Sequence, residues 1–160
     1  MEKKFELTDN FVINAFGIKL FQIKCTKSFK YANEGDLGGY VEKEDNLSQS
    51  GDAWVSGDAQ VSGNARVSGD ARVSGNAQVS GNARVENNHM HCGFDCFGSC
   101  NRHTHAYKTK GNKVEITCGC FRGSLEEFEK KVEETHKGTI YEKQYKAIIN
   151  LIKIKFGIDG

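Results

Sequence analysis

A strict six-residue period constrains this chain more than any other feature in it. From Gln49 to Arg84 the blocks QSGDAW, VSGDAQ, VSGNAR, VSGDAR, VSGNAQ and VSGNAR obey one rule: an apolar residue, Ser, Gly, Asp or Asn, Ala, then a longer side chain. Only Gln49 breaks the apolar position. An α-helix does not generate a period of six, and a Gly in every block would cost such a helix ~1 kcal/mol each. Short strands joined by tight turns do generate it. Val and Ala then point inward, Ala leaving room at a crowded axis, while Gly and Asp or Asn take the corners, where φ is often positive.

The pattern resembles the left-handed β-helix of hexapeptide-repeat proteins, in which three blocks close one triangular coil and coils stack. Six blocks give about two coils, a stack of roughly 10 Å at a strand spacing of ~4.8 Å. Repeat arrays need roughly three or more units and caps on their open edges, so flanking segments must serve as caps and a homo-oligomer, with a trimer favoured, is expected. The sequence therefore predicts a mainly β fold: a short left-handed β-helix over 49–86, an N-terminal β cap over 1–48 and a C-terminal ββαα module over 87–160.

Within the first segment, Phe5–Leu7, Phe11–Ile13 and Ile18–Cys25 read as strands with a turn at Asn14–Gly17. The run from Gly35 to Glu42, then Asn46-Leu47-Ser48 and the repeats with an early Trp54, resembles the leading segment of β-helix proteins of bacteriophage and prophage genomes. That resemblance implies a viral or prophage source. After the repeats, Asn87–His105 reads as a loop rich in Gly, Cys and His, and Ala106–Thr109 with Val114–Phe121 as a hairpin. Ser124-Leu-Glu-Glu127 is a capping box that opens a helix ending near His136, with Gly138 as its stop. Thr139-Ile-Tyr-Glu142 opens a second helix whose apolar face is Tyr141, Tyr145, Ile148, Ile149, Ile152 and Phe156.

Charge and composition limit the function classes. The 22 basic and 21 acidic side chains leave a net charge of +1, so nucleic acid and anionic membranes are not expected partners. No run approaches the ~18–20 apolar residues of a membrane span, and Met1–Glu6 leads into no hydrophobic run of the kind an export signal carries. A soluble protein in the cytoplasm of a bacterial host is expected. There the six cysteines are reduced thiols or metal ligands rather than disulfides.

Stacking at eighteen residues gives the coil three unequal faces: Asp52 and Trp54 over Asp70 and Arg72, Asp58 and Gln60 over Asn76 and Gln78, Asn64 and Arg66 over Asn82 and Arg84. The last is basic throughout. Like charges stacked directly repel, so Arg66 and Arg84 are candidates to bind a carboxylate, a phosphate or another subunit. His89, His91, Cys92, Cys96, Cys100, His103 and His105 have the side chains zinc prefers, but lack the paired spacing of structural zinc sites. No metal is assigned, and free thiols remain the alternative.

The remaining cluster is Ser99, Asn101, Arg102, Thr104 and His105, with Cys118-Gly-Cys-Phe-Arg-Gly123 across the hairpin and His136 beyond. Through Cys118–Gly123, Glu127, Phe128, Val132, Thr135 and His136 it resembles a small C-terminal module of phage proteins. Cys100, His103 and His105 depart from that module, which has Arg and Thr there. Hydroxyls, amides, imidazoles, Arg102 and Arg122 near a Gly turn suit a polar anion, so Ser99, Asn101, Arg102, Thr104, His105, Arg122 and His136 join Arg66 and Arg84 as candidate ligand-binding residues. No catalytic residue and no cofactor is assigned. Three functions stay open: a non-enzymatic phage accessory protein binding a host partner or a small anionic or nucleotide ligand, and so blunting host defence; an acyltransferase using acyl-CoA with His89 or His91 as base; and a structural phage component.

Overall fold

In the computed structural model, which describes residues 2–158, three antiparallel strands lead into the repeats: β1 (Phe5–Ile13), β2 (Lys19–Cys25) and β3 (Leu37–Val41). The two short strands expected before Asn14 are one strand with a bulge between Leu7 and Phe11. Strand β3 pairs antiparallel with β2 on one side and parallel with the repeats on the other, Tyr40 opposite Gln60 and Val41 opposite Val61.

Each repeat block contributes one two-residue strand: β4 (Trp54–Val55), β5 (Gln60–Val61), β6 (Arg66–Val67), β7 (Arg72–Val73), β8 (Gln78–Val79) and β9 (Arg84–Val85). They pair parallel in three columns, Trp54 over Arg72, Gln60 over Gln78 and Arg66 over Arg84. This is a β-solenoid whose interior is a stack of Val and Ala, none of them more than 1% exposed from Ala53 to Val85. The block glycines turn the corners at φ between 63° and 71°.

The upper edge of each column meets a different hydrogen-bond donor. The Lys4 ammonium donates to the carbonyls of Ala53 at 2.6 Å and Gly51 at 3.3 Å, the Asn46 amide donates to those of Ala65 and Gly63, and the β3 backbone covers Ala59. Gln49 breaks the repeat because its amide clamps β1: Oε1 accepts from Lys4 N–H and Phe5 N–H, and Nε2 donates to the Phe5 carbonyl. Trp54 points outward from its coil yet is buried, since Phe29 packs edge-on against it with centroids 5.3 Å apart.

The C-terminal part corrects one expectation. The segment read as a loop, Asn87–His105, contains a strand and the start of another, so four strands precede the helices: β10 (His91–Phe97), β11 (Arg102–Lys108), β12 (Val114–Cys118) and β13 (Phe121–Ser124), antiparallel in that order. Helices α1 (Leu125–His136) and α2 (Ile140–Phe156) follow. The alternation was hidden because only one face of β10 and β11 is apolar. Cys92, Phe94, Ala106, Ile116 and Cys118 pack with Phe128, Val132, Tyr145 and Ile149 of the helices. The other face carries His91, Gly93, His103, His105 and Tyr107; the histidines bond one another, Asp95 and Asn88, and Tyr107 bonds Ser80 and Glu115. Ser124 caps α1 by accepting from Glu127 N–H, and Glu127 returns the bond, as the sequence predicts.

The sheet closes the lower end of the solenoid. Tyr107, fully buried, belongs to the Val and Ala core, with its hydroxyl 3.3 Å from Ser80 Oγ and 3.1 Å from the Glu115 carboxylate. Thr117 Oγ1 donates to the Gln78 carbonyl, Lys110 N–H to that of Asn82, and Asn88 Oδ1 accepts from Arg72 N–H. Among the described residues no helix is long and apolar enough to cross a membrane.

Candidate functional site

The turns at the far end of the four-stranded sheet open a cleft between the sheet and the helices. Ser99 and Cys100 come from the β10–β11 turn, Arg102 from the start of β11, and Cys120 and Phe121 from the β12–β13 turn. Helix α1 presents Phe128, Lys131, Val132, Thr135 and His136 along one face, at helical spacings of three and four. Tyr145 of α2 forms part of the wall, and the cleft encloses about 740 Å³.

Backbone geometry makes room for these side chains. Gly98 has φ 80° and lies so close to the Tyr145 hydroxyl that a Cβ would collide with it, while its N–H donates to Gln144 Oε1 at 2.8 Å. Gly119, at φ 60°, lies under the Arg102 side chain, which a Cβ would also displace. The sharp β12–β13 turn thus gives the guanidinium a flat seat.

The wall is aromatic. Phe121 and Phe128 have centroids 5.3 Å apart, Phe128 meets Tyr145 edge-on at 5.6 Å, and His136 stacks on Tyr145 at 5.4 Å with an interplanar angle of 28°. Burial, with Cys118 beside it, pushes the Tyr145 phenol well above its ordinary value, so it stays a neutral hydroxyl. Around this wall stand Arg102, Arg122, Lys131 and His136, and no carboxylate lines the cleft among the described residues. Arg122 is committed to Glu115 at 2.9 Å. Arg102 and Lys131 form no ion pair among the described residues, so their charge is open to a ligand.

The sequence-predicted residues divide into four groups. Ser99, Arg102, Arg122 and His136 meet in the cleft. Thr104 and His105 lie elsewhere: Thr104 is buried and donates to Cys118 Sγ at 3.2 Å, and His105 is on the opposite face of the sheet. Asn101 holds the turn at φ 50° and does not line the cleft. Arg66 and Arg84 stack in register on the solenoid, each donating to a backbone carbonyl, Asp45 at 3.4 Å and Asn64 at 3.0 Å, remote from the cleft lining. Lys131, Thr135 and Tyr145 were not singled out as ligand contacts. Their signal was present, because Phe128, Val132 and His136 already define the α1 face that Lys131 and Thr135 share.

On the solenoid side of the sheet the histidines form a chain. His103 Nδ1 is 2.5 Å from Asp95 Oδ1, His103 Nε2 is 2.9 Å from His105 Nδ1, His105 Nε2 is 2.9 Å from His91 Nδ1, and His91 Nε2 is 3.2 Å from Asn88 Oδ1. Burial pushes His105 well below the ordinary imidazole range, aided by its two imidazole neighbours. It lowers His91 to about 4, with Lys155 contributing. His105 turns one ring nitrogen to each neighbour, so the three rings do not converge on a single point as metal ligands would. The cysteines are unpaired with one another, and burial raises the Cys92 thiol. Among the described residues no group of three or more His, Cys, Asp or Glu side chains is arranged around a metal position.

Residues 59–75, 65–79 and 77–90 match the YdcK beta solenoid repeat family. The match spans 59–90, confined to the solenoid and its exit, and gives a repeat β-solenoid protein without describing the cleft. No curated protein matches the chain.

Proposed function

We propose that the protein is a non-enzymatic ligand-binding protein whose cleft takes a small anion carrying an aromatic ring, a nucleotide being the ligand class that fits best. One observation carries the reading: Arg102, Lys131 and His136 surround an aromatic wall of Phe121, Phe128 and Tyr145, with no lining carboxylate among the described residues to oppose an anion. Guanidinium and ammonium groups bind phosphate oxygens by charge-assisted hydrogen bonds. The half-buried Phe121 ring, backed by the buried Phe128, offers stacking surface, worth ~1–3 kcal/mol per base where a base lies on an aromatic side chain. A cleft of about 740 Å³ accommodates a ligand of this size.

The wider reading follows from the sequence resemblances. The repeats form a left-handed helix, the flanking segments cap it, and the protein assembles as a homo-oligomer, with a trimer favoured. The source is a phage or prophage, and the protein acts in the bacterial cytoplasm, where holding a nucleotide signal would blunt a host defence.

Thermal melting of the purified protein with mono- and dinucleotides, inorganic phosphate and acyl-CoA tests the assignment. A ligand at 100 times its Kd stabilises the folded state by ~2.7 kcal/mol. The reading predicts that nucleotides raise Tm more than phosphate does. Turnover of acyl-CoA would instead make the protein an acyltransferase, and no shift with any nucleotide would remove the proposal.

A further inference from the structure

The histidine chain has four hydrogen bonds and three imidazoles, and both of its ends are acceptors. At one end is the Asp95 carboxylate. At the other, Asn88 presents its carbonyl oxygen, an orientation fixed by the 2.9 Å bond it accepts from Arg72 N–H. Flipping that amide would bring an N–H against an N–H. Each of the four bonds needs one proton, and three neutral imidazoles carry only three.

We infer that Asp95, His103, His105 and His91 form a proton-binding relay that holds one proton more than three neutral imidazoles carry. The geometry allows one arrangement with the carboxylate ionised and both buried imidazoles neutral. His103 is doubly protonated, donating through Nδ1 to Asp95 and through Nε2 to His105. His105 donates from Nε2 to His91, and His91 donates from Nε2 to Asn88. The extra positive charge thus rests on His103, whose side chain is itself only 10% accessible but pairs with the exposed Asp95 carboxylate, rather than on His91 or His105, which have no carboxylate partner in the relay. The depressed basicity of His91 and His105 agrees with this placement.

The site is built for these rings. A Cβ at Gly93, opposite His105 in the β10–β11 register, would meet the His103 and His105 rings at 2.6 to 2.8 Å. The other charged or titratable neighbours do not supply the missing proton. Lys155 of α2 donates to the Asn88 backbone carbonyl at 3.4 Å, not to the side-chain oxygen that ends the chain, and its charge opposes protonation of His91. Tyr107, paired with His91 in the register, spends its hydroxyl on Ser80 and Glu115. Arg72 enters through its backbone N–H, and Cys92 lies on the apolar face. The relay therefore fastens the β10–β11 hairpin to the last solenoid strand of one column, and it does so whether or not the cleft binds a nucleotide.

Nitrogen-15 NMR of the imidazole side chains in the whole protein at neutral pH tests this. His91 and His105 should be neutral Nε2–H tautomers and His103 doubly protonated. In D95N the new amide N–H supplies the fourth proton, so His103 should become a neutral Nε2–H tautomer while the two buried rings keep theirs. Asp95→Ala removes the first bond and should also leave His103 neutral. A neutral His103 in the wild-type protein, an Nδ1–H tautomer at His91 or His105, or a His103 that stays doubly protonated in both variants would overturn the inference.

Discussion

The His136 imidazole lies against the Tyr145 ring, 28° from parallel with centroids 5.4 Å apart, and so ties the last turn of α1 to α2 inside the cleft. The half-buried His136 ring presents its edge and a ring N–H at the cleft wall, while Tyr145 behind it is buried. His136→Ala is expected to weaken nucleotide binding about tenfold, while costing only ~0.5–1.5 kcal/mol of stability, the usual worth of an aromatic pair. Calorimetric titration and a urea melt of the same variant separate the two effects.

Acid should destabilise the fold through the buried imidazoles. His91 has its pKa lowered from 6.5 to about 4, and His105 moves in the same direction. A base depressed in the folded state contributes stability above its unfolded pKa, and that stability is lost as pH falls toward the folded value. The window is therefore from about 6.5 down to about 4, with His91 alone contributing up to ~3 kcal/mol. Denaturant midpoints measured across this range should fall with pH in the wild-type protein and fall less steeply in His91→Gln, which starts less stable at pH 7.

Lys4 tests the upper cap. Its ammonium is the donor to Ala53 and Gly51, and burial lowers it to about 8. Lys4→Met removes the cost of burying the charge but leaves the Ala53 carbonyl without a partner in a dry site. The unsatisfied acceptor outweighs the relief, giving a net loss of ~1–3 kcal/mol. Equilibrium unfolding in urea should show a lower midpoint with an unchanged slope.

Two block glycines with nearly the same backbone separate strain from packing. Gly69 has φ 63° and Gly75 has φ 64°. A Cβ at Gly75 meets open space, whereas one at Gly69 runs into the Glu86 carbonyl. Gly75→Ala should cost only the left-handed backbone penalty, ~1–2 kcal/mol. Gly69→Ala should cost clearly more, and comparison of the two melting curves checks the difference.

Much of the fold was legible because its signals are local. A period of six with Gly at each corner gives the solenoid, and Ser124, Glu127 and Thr139 mark helix starts through hydrogen bonds made within four residues. What escaped depends on contacts distant in sequence. Strand β10 pairs a polar face of His and Gly with β11, and those imidazoles find their partners in one another, in Asp95 and in Asn88. Gln49 looks like a defect in the repeat until β1 arrives to be clamped. The cleft was half visible: Ser99, Arg102, Arg122 and His136 stand out as polar groups, but Lys131 and Tyr145 gain their roles only when α1 and α2 fold across the sheet.

Arg102, seated on Gly119, is expected to supply charge to an anion bound in the aromatic cleft. Isothermal titration of a nucleotide into the wild-type protein and into Arg102→Ala tests it directly. A charge-assisted hydrogen bond contributes ~1.5–3 kcal/mol, so the variant should bind about 10- to 100-fold more weakly while melting at nearly the wild-type temperature. Equal binding by both proteins would remove Arg102 from the site, and no binding by the wild type would rule out a nucleotide ligand.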